Sequence, residues 1–424
     1  MINQDNISRN LFFSFFSTTL FVSFFIGENS AGGAKYDHLV TSEYILLFSN
    51  NIKENLLIYD PKTNPHLPFF YIILGKLLNL FSLEILRFFY LLISLTLPVV
   101  FYKILKLKFK SSDKNILFII SLLIFLSPYF RSSAVWLTND NLTLILLSLS
   151  IYYFFKTEKF KSKNINHILK CFIFLALAAY LRQNFILFIF FYLYYLFLNS
   201  ELRIIFIVLL INFLLSIPIL YYAIYYEHIS YYIVTTSIDR INFLLNITIY
   251  LNLILFYLFP FIISKIIFKK IIFRLKTNLK EIIILILLIF LVNYFILDYS
   301  YSTHGILDYS YSTHGIGGGA FYKLFVNFLN IPELFFLFSI ISLVLLFCFL
   351  DKKISNYIVI ILLFLLYPLP TLYQKYYDPL FMIILFSLLS FDKDININFL
   401  DKKYVVIPTI YFSSFYLFAL YYYS

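Results

Sequence analysis

The chain has 424 residues, of which 62% are hydrophobic and 13% charged, with a formal net charge of +11 and a mean hydropathy of +0.87. These values exclude a soluble globular protein and define a polytopic membrane protein. Long apolar runs that do not alternate with polar residues exclude a transmembrane barrel, as do 54 phenylalanines against nine glycines.

In a soluble chain the positive charge would point to nucleic acid. Here it asks which side of the membrane the cations face. Both cysteines, Cys171 and Cys348, fall inside apolar runs and read as buried thiols, with no disulfide framework and no metal site.

The first apolar stretch, Leu11–Ile26, follows Arg9 and precedes SAGGA at Ser30–Ala34. A cleaved signal peptide would look similar, but the many later spans favour an uncleaved first helix. Next comes the one long polar segment of the first third, GGAKYDHLVTSEY followed by IYDPKTNPHLPFFY, between Gly32 and Tyr71. It carries Asp37, His38, Glu43, Asp60 and His66. Polar residues gathered between greasy helices are where water-exposed chemistry can sit.

Leu67–Phe81 is apolar but short of the roughly 20 residues a span needs. Read as a juxtamembrane helix on the outer surface, it leaves most of the 33 basic residues on the inner side; read as a span, it reverses that balance. The positive-inside rule selects the first reading. The expected fold is an all-α polytopic membrane protein of thirteen spans plus the outer juxtamembrane helix, with the N-terminus inside. After the first span, the expected spans are 88–105, 116–130, 134–155, 168–181, 185–198, 204–226, 243–264, 282–296, 331–350, 357–372, 379–391 and 404–422.

A single domain over 1–424 is expected, with a first outer loop at 28–87 and a second at 297–330. The second loop contains LDYSYSTHGI twice in tandem, at Leu297–Ile306 and Leu307–Ile316. An identical decamer repeated once reads as a local duplication, since solenoid units are longer and recur more often.

This topology gathers the unusual polar residues at the outer surface. They are Asp37, Asp140 in WLTNDN, Arg182, Gln183 and Asn184 in one turn, and Gln374, Lys375 and Asp378 in YQKYYDP. Two carboxylates with two or three cations suit transfer from a lipid phosphate. A carboxylate takes a proton from the acceptor hydroxyl, and Arg and Lys hold the departing phosphate. Each also has a plainer reading: Asp37 as loop surface, Asp140 paired with Arg131 across a short turn, Arg182 and Lys375 snorkelling from helix ends. His304 and His314 owe their spacing to the duplication, and Asp392–Asp394 lies on the inner side with no domain around it. No Walker loop, GxGxxG, HExxH or GxSxG occurs.

YDH at 36–38, YDP at 59–61, NPHLPFFY at 64–71, LRFFYLL at 86–92, LTND at 137–140 and LRQN at 181–184 follow one another. In that order they resemble the dolichyl-phosphate-glucose-dependent α-1,2-glucosyltransferase family of the GT-C superfamily of integral membrane glycosyltransferases. His38 stands where that family has Glu, and the Thr of its Arg-Gln-Thr-Asn turn is missing.

The resemblance implies a GT-C fold and inverting transfer from a polyprenyl-phosphate sugar to a glycan or lipid-linked acceptor, without metal or cofactor. It implies Asp37 as general base, Arg182 and Lys375 on the donor phosphate, and Asp140 orienting acceptor or base. His38, Asp60, His66, Gln183, Asn184 and Gln374 complete the substrate-binding set. The partners are the donor, the acceptor and membrane lipids, with no nucleic acid. The setting is a bacterial inner membrane or the endoplasmic reticulum, with the site on the periplasmic or lumenal side. The rivals are a flippase of lipid-linked sugars and an O-antigen ligase or polymerase. The first usually carries mid-span charges and internal symmetry; the second keeps its arginines in a late outer loop, which here has Lys323 and none.

Overall fold

The computed structural model describes residues 4–59, 67–162, 164–225, 240–262, 265–303, 318–367, 372–391 and 402–423. Its regular structure among these residues is helical, apart from one isolated bridge between Leu350 and Phe391. Among the described residues six helices are long and apolar enough to cross a membrane, and seven if a bent pair is one span. The protein is a multi-pass membrane protein. The described parts of the other segments expected to cross are also helical, several of them shorter or broken. Asp60 and His66, the second copy of the decamer with His304 and His314, and Asp392–Asp394 lie outside the described residues.

The chain divides into two compact units, one of residues 1–232 and 412–424, the other of 233–411. In the first, α1 (Gln4–Ile26) ends at Gly27, whose φ of +66° suits a residue without Cβ. The expected loop after it is in fact folded into α2 (Ala34–Leu47) and α3 (Ile52–Ile58). The side chain of Asn51 caps α3 by accepting from the Lys53 amide at 3.1 Å.

The juxtamembrane helix is α4 (Phe69–Leu78), and its ten residues are too few to cross. Gly75 lets it lie directly on α2. A Cβ there would sit 2.7 Å from the Phe48 carbonyl carbon and 2.8 Å from the Ile45 oxygen. Lys76 donates to the carbonyls of Ser49 (3.2 Å) and Asn50 (2.6 Å), and Asn79 to Ser49 (2.9 Å), so α4 also closes the open end of α2.

Helices α5 (Leu83–Ser94) and α6 (Thr96–Lys108) form one apolar stretch of 26 residues. The next segment breaks. α7 (Lys114–Leu122) runs through a 3-10 turn into α8 (Pro128–Trp136) across a 63° bend. Ser127 caps α8 by accepting from the Phe130 amide at 3.0 Å, and Pro128 fills the first helical position, where its missing N–H costs nothing. Leu137 then turns left-handed (φ +55°) and α9 (Asp140–Lys156) begins. Span four therefore does not start at 134 as expected; Ala134–Trp136 belong to α8. α10 (Ile165–Leu181), α11 (Phe188–Asn199) and α12 (Leu202–Tyr225) follow.

In the second unit, α13 (Arg240–Ile262) leads to α14 (Lys265–Thr277) and α15 (Leu279–Thr303). α15 continues into the first copy of the decamer, where a loop was expected. α16 (Gly319–Tyr322) passes into a π-helical turn at Lys323–Phe328. α17 (Pro332–Phe349), α18 (Ile354–Leu365) and α19 (Leu380–Ser387) complete the unit. Buried amides tie its helices together: Asn252 donates to the Phe335 carbonyl (3.0 Å), Asn293 to Ser339 Oγ (3.1 Å), and Thr248 to Asn293 (2.9 Å). α20 (Lys402–Tyr423) starts in this unit and ends in the first. Both cysteines are buried and free, as expected.

The first unit is pinned by a buried ion pair that joins α1, α8 and α20. Arg131 and Glu28 expose 3% and 0% of their side chains, with Nη2 and Oε2 3.1 Å apart. Glu28 also accepts from Ser30 (2.6 Å), Ser23 and Tyr416 (2.9 Å). Arg131 further donates to the carbonyls of Thr19 (3.1 Å) and Phe125 (3.3 Å). The plainer reading of Asp140 as a partner of Arg131 does not hold, because the bend at Ser127–Pro128 turns Arg131 toward α1. Burial raises the Glu28 pKa, but the charge and hydrogen bonds of Arg131 outweigh it and leave it lowered from 4.5.

Removing one partner leaves a buried charge, so Arg131→Met should cost about 3–5 kcal/mol. The Glu28→Gln/Arg131→Met double variant should cost clearly less, as read from thermal unfolding in detergent followed by the single tryptophan.

Candidate active site

Asp37 sits in the first turn of α2, where a carboxylate complements the helix dipole, and is half-buried. Its neighbour His38 is buried, 7% exposed, with its ring 5.7 Å from that of Trp136. The only tryptophan of the chain is a hub. Trp136 donates its indole N–H to the Glu28 carbonyl at 2.7 Å, and its ring lies under the Arg87 guanidinium at 4.6 Å and the Lys35 ammonium at 5.8 Å. Arg87 is held in turn by both oxygens of Glu84 (2.8 and 2.9 Å) and by the Val135 carbonyl (3.1 Å).

Burial first, then the nearby Arg87 charge, lower the His38 pKa from 6.5; a hydrogen bond to the Trp136 backbone and the Glu84 carboxylate oppose this. The imidazole is therefore neutral at pH 7. Its Nδ1 is buried without a hydrogen-bond partner.

The second cluster forms where two helices end. α10 stops at Arg182, whose backbone is extended (φ −141°) before a 3-10 turn containing Gln183 and Asn184. The Arg182 guanidinium lies 2.5 Å from Asp140 Oδ1, and its Nε donates to Asn139 at 3.2 Å. The Asn139 amide donates to the Leu181 carbonyl at 3.1 Å. Thr138 donates to Asp140 Oδ2 at 2.9 Å, so both carboxylate oxygens are engaged. Gln183 and Asn184 flank the pair, half-buried.

Leu137 and Leu181, next to this cluster, share one core with Ile45 and Phe48 of α2, Phe70 and Tyr71 of α4 and Tyr90 of α5. The helix bearing Asp37 and the juxtamembrane helix are thus packed on the same apolar base as the Asp140–Arg182 pair.

The remaining expected residues lie in the second unit. Gln374 is buried, its side-chain amide accepting from the Ala320 N–H (2.8 Å) and donating to Tyr257 (3.4 Å). The Lys375 ammonium lies 5.7 Å from the rings of both Tyr373 and Tyr376. Lys323, on the π-helical turn, has its pKa pushed down to about 8 by burial. Among the described residues no group of His, Cys, Asp and Glu is gathered as a metal site.

The reading of 28–87 as a first outer loop with a juxtamembrane helix gave no role to Glu28, Glu84 and Arg87. Their signal was available: charges at the ends of apolar runs need partners.

Fold and clusters define a multi-pass membrane protein with charged and polar side chains gathered at helix ends. Residues 63–222 match the sequence model of the dolichyl-phosphate-mannose-protein mannosyltransferase family, a family of the GT-C superfamily. That stretch runs from the juxtamembrane helix through Asp140 and Arg182 to α12. The match supports the superfamily of the resemblance above and does not reach the α-1,2-glucosyltransferases within it. No curated protein and no solved structure matches the chain.

A testable consequence concerns His38. Its folded-state pKa lies below the free value of 6.5, so the unfolded chain binds more protons below that pH. Stability is complete above 6.5 and falls as pH drops through the lowered value. Unfolding midpoints should decline as the pH falls below 6.5 in the wild type, and His38→Asn should remove that decline.

Proposed function

We propose that the protein is an inverting glycosyltransferase that moves one sugar from a polyprenyl-phosphate carrier to a hydroxyl of a glycan or lipid-linked acceptor at the outer membrane surface. The reading rests on one observation. The stretch similar to the mannosyltransferase family contains the Asp140–Arg182 pair and the juxtamembrane helix, and both share a core with the helix that carries Asp37.

Asp37 takes the proton of the acceptor hydroxyl as its oxygen attacks the anomeric carbon. The bond from that carbon to the phosphate oxygen breaks, the electron pair leaves with the phosphate, and the configuration inverts. Arg182 meets the growing phosphate charge with a planar, bidentate donor fork. Asp140 is a positioning residue: with one oxygen on Arg182 and the other on Thr138, it aims the guanidinium rather than touching the acceptor. The description of the matched family supports dolichyl-phosphate mannose as the first donor to try. The bacterial or endoplasmic reticulum setting follows the carrier that is accepted.

The test is a transfer assay with purified full-length protein and radiolabelled polyprenyl- and dolichyl-phosphate mannose, glucose and pentoses. Wild type should transfer from at least one donor, and Asp37→Asn should lower the rate by about 10²–10⁴. An unimpaired Asp37→Asn variant would remove the base, and movement of lipid-linked sugar across vesicles without transfer would replace the enzyme by a flippase. Asp140→Asn should lower kcat through loss of Arg182 alignment, and Arg182→Lys should not restore it, because an ammonium lacks the fork.

A further inference from the structure

Helix α14, Lys265–Thr277, reads KIIFKKIIFRLKT, with five cations and no acid. It joins two long apolar helices of the second unit at the end that the Lys/Arg asymmetry places inside. One face is docked. Ile271 is 6% exposed, and Arg274 donates to the Cys348 carbonyl at 2.7 Å, in the last turn of α17, where a cation also complements the helix dipole.

The other face is uncovered within the described residues, and its composition is unusual. Lys269, Phe273, Lys276 and, just beyond in α15, Lys280 recur at helical spacing and are all exposed. Phe273 is 66% and Ile272 40% exposed. A face in water would carry no Phe and Ile, and a face in hydrocarbon would carry no lysines. A stripe with both fits the plane between them, with rings and aliphatic chains inserted and ammonium groups at headgroup level. Beside it, Lys352 reaches Asn278 (3.2 Å) and Glu281 (3.5 Å), so a further cation borders the stripe.

We propose that α14 is an in-plane membrane helix whose exposed face seats anionic phospholipid headgroups of the inner leaflet. Charge complementarity selects this occupant: an uncompensated row of lysines flanking an inserted Phe favours a phosphate-bearing surface over a zwitterionic one.

The experiment measures lipids retained by the full-length protein after purification in detergent, by native mass spectrometry, with phosphatidylglycerol and phosphatidylcholine supplied in equal amounts. Wild type should retain phosphatidylglycerol preferentially. Lys269→Gln/Lys276→Gln/Lys280→Gln should weaken that preference on the order of 100-fold, about fivefold per lysine. The same triple replacement by Arg should keep it, which separates charge from damage to the fold. Equal retention of the two lipids by wild type, an unchanged preference in the Gln variant, or loss in the Arg variant would overturn the proposal. So would displacement of phosphatidylglycerol by soluble glycerol phosphate, which would point to a small-anion site instead.

Discussion

Taking a carboxylate and a guanidinium out of water costs several kcal/mol per ion unless every lone pair and N–H finds a partner. Glu28 and Arg131 come close to that condition. Four hydroxyls and two backbone carbonyls surround the pair, which joins the end of α1 to α8 and to α20. Much else in the first unit depends on it. It orients α8, and α8 carries Trp136, whose indole bonds the Glu28 backbone and whose ring supports Lys35, His38 and Arg87. A constraint placed at Arg131 thus reaches α2 and Asp37 through one aromatic ring.

The polar groups of the first unit sit where helices are interrupted. The left-handed Leu137 and the extended Arg182 end α8 and α10 at neighbouring points. There Asp140 lies at the positive end of α9 and Arg182 at the negative end of α10, so each charge is favoured by its own helix before the two meet. The breaks have a local chemical origin in Ser127 and Pro128, in the residues Leu137–Asn139, and in the turn at Gln183. Backbone carbonyls freed there are taken up by the side chains of Asn139, Tyr90 and Ser133.

Composition and apolar runs were enough to read the helical membrane class, most helix positions, the shortness of the juxtamembrane helix and the buried thiols. The fold of the first outer segment was not legible. Asp37, Glu43 and the asparagines around α2 and α3 look like a loop, and only α4 lying against α2 makes those residues helical. The partner of Arg131 was also out of reach, since Asp140 is nearer in sequence and the choice of Glu28 depends on a bend of 63°. Gln374 was legible as a polar amide in an aromatic turn. Its use as a strut for the turn at Ala320 appears only with the turn in place. Arg182 beside Asp140 was legible as a collection of charges, but not as a pair.

Gly75 sets a different kind of limit. Where α4 crosses α2 the two backbones touch, with no side chain between them. The spacing of these helices is therefore a property of the main chain, insensitive to the identity of most residues along either one. Over evolutionary time the outward faces of α2 and α4 are free to drift, while the position of α2, and of Asp37 on it, stays where a missing methyl group put it. A scaffold of that kind can change its outward surface without moving the helices beneath it.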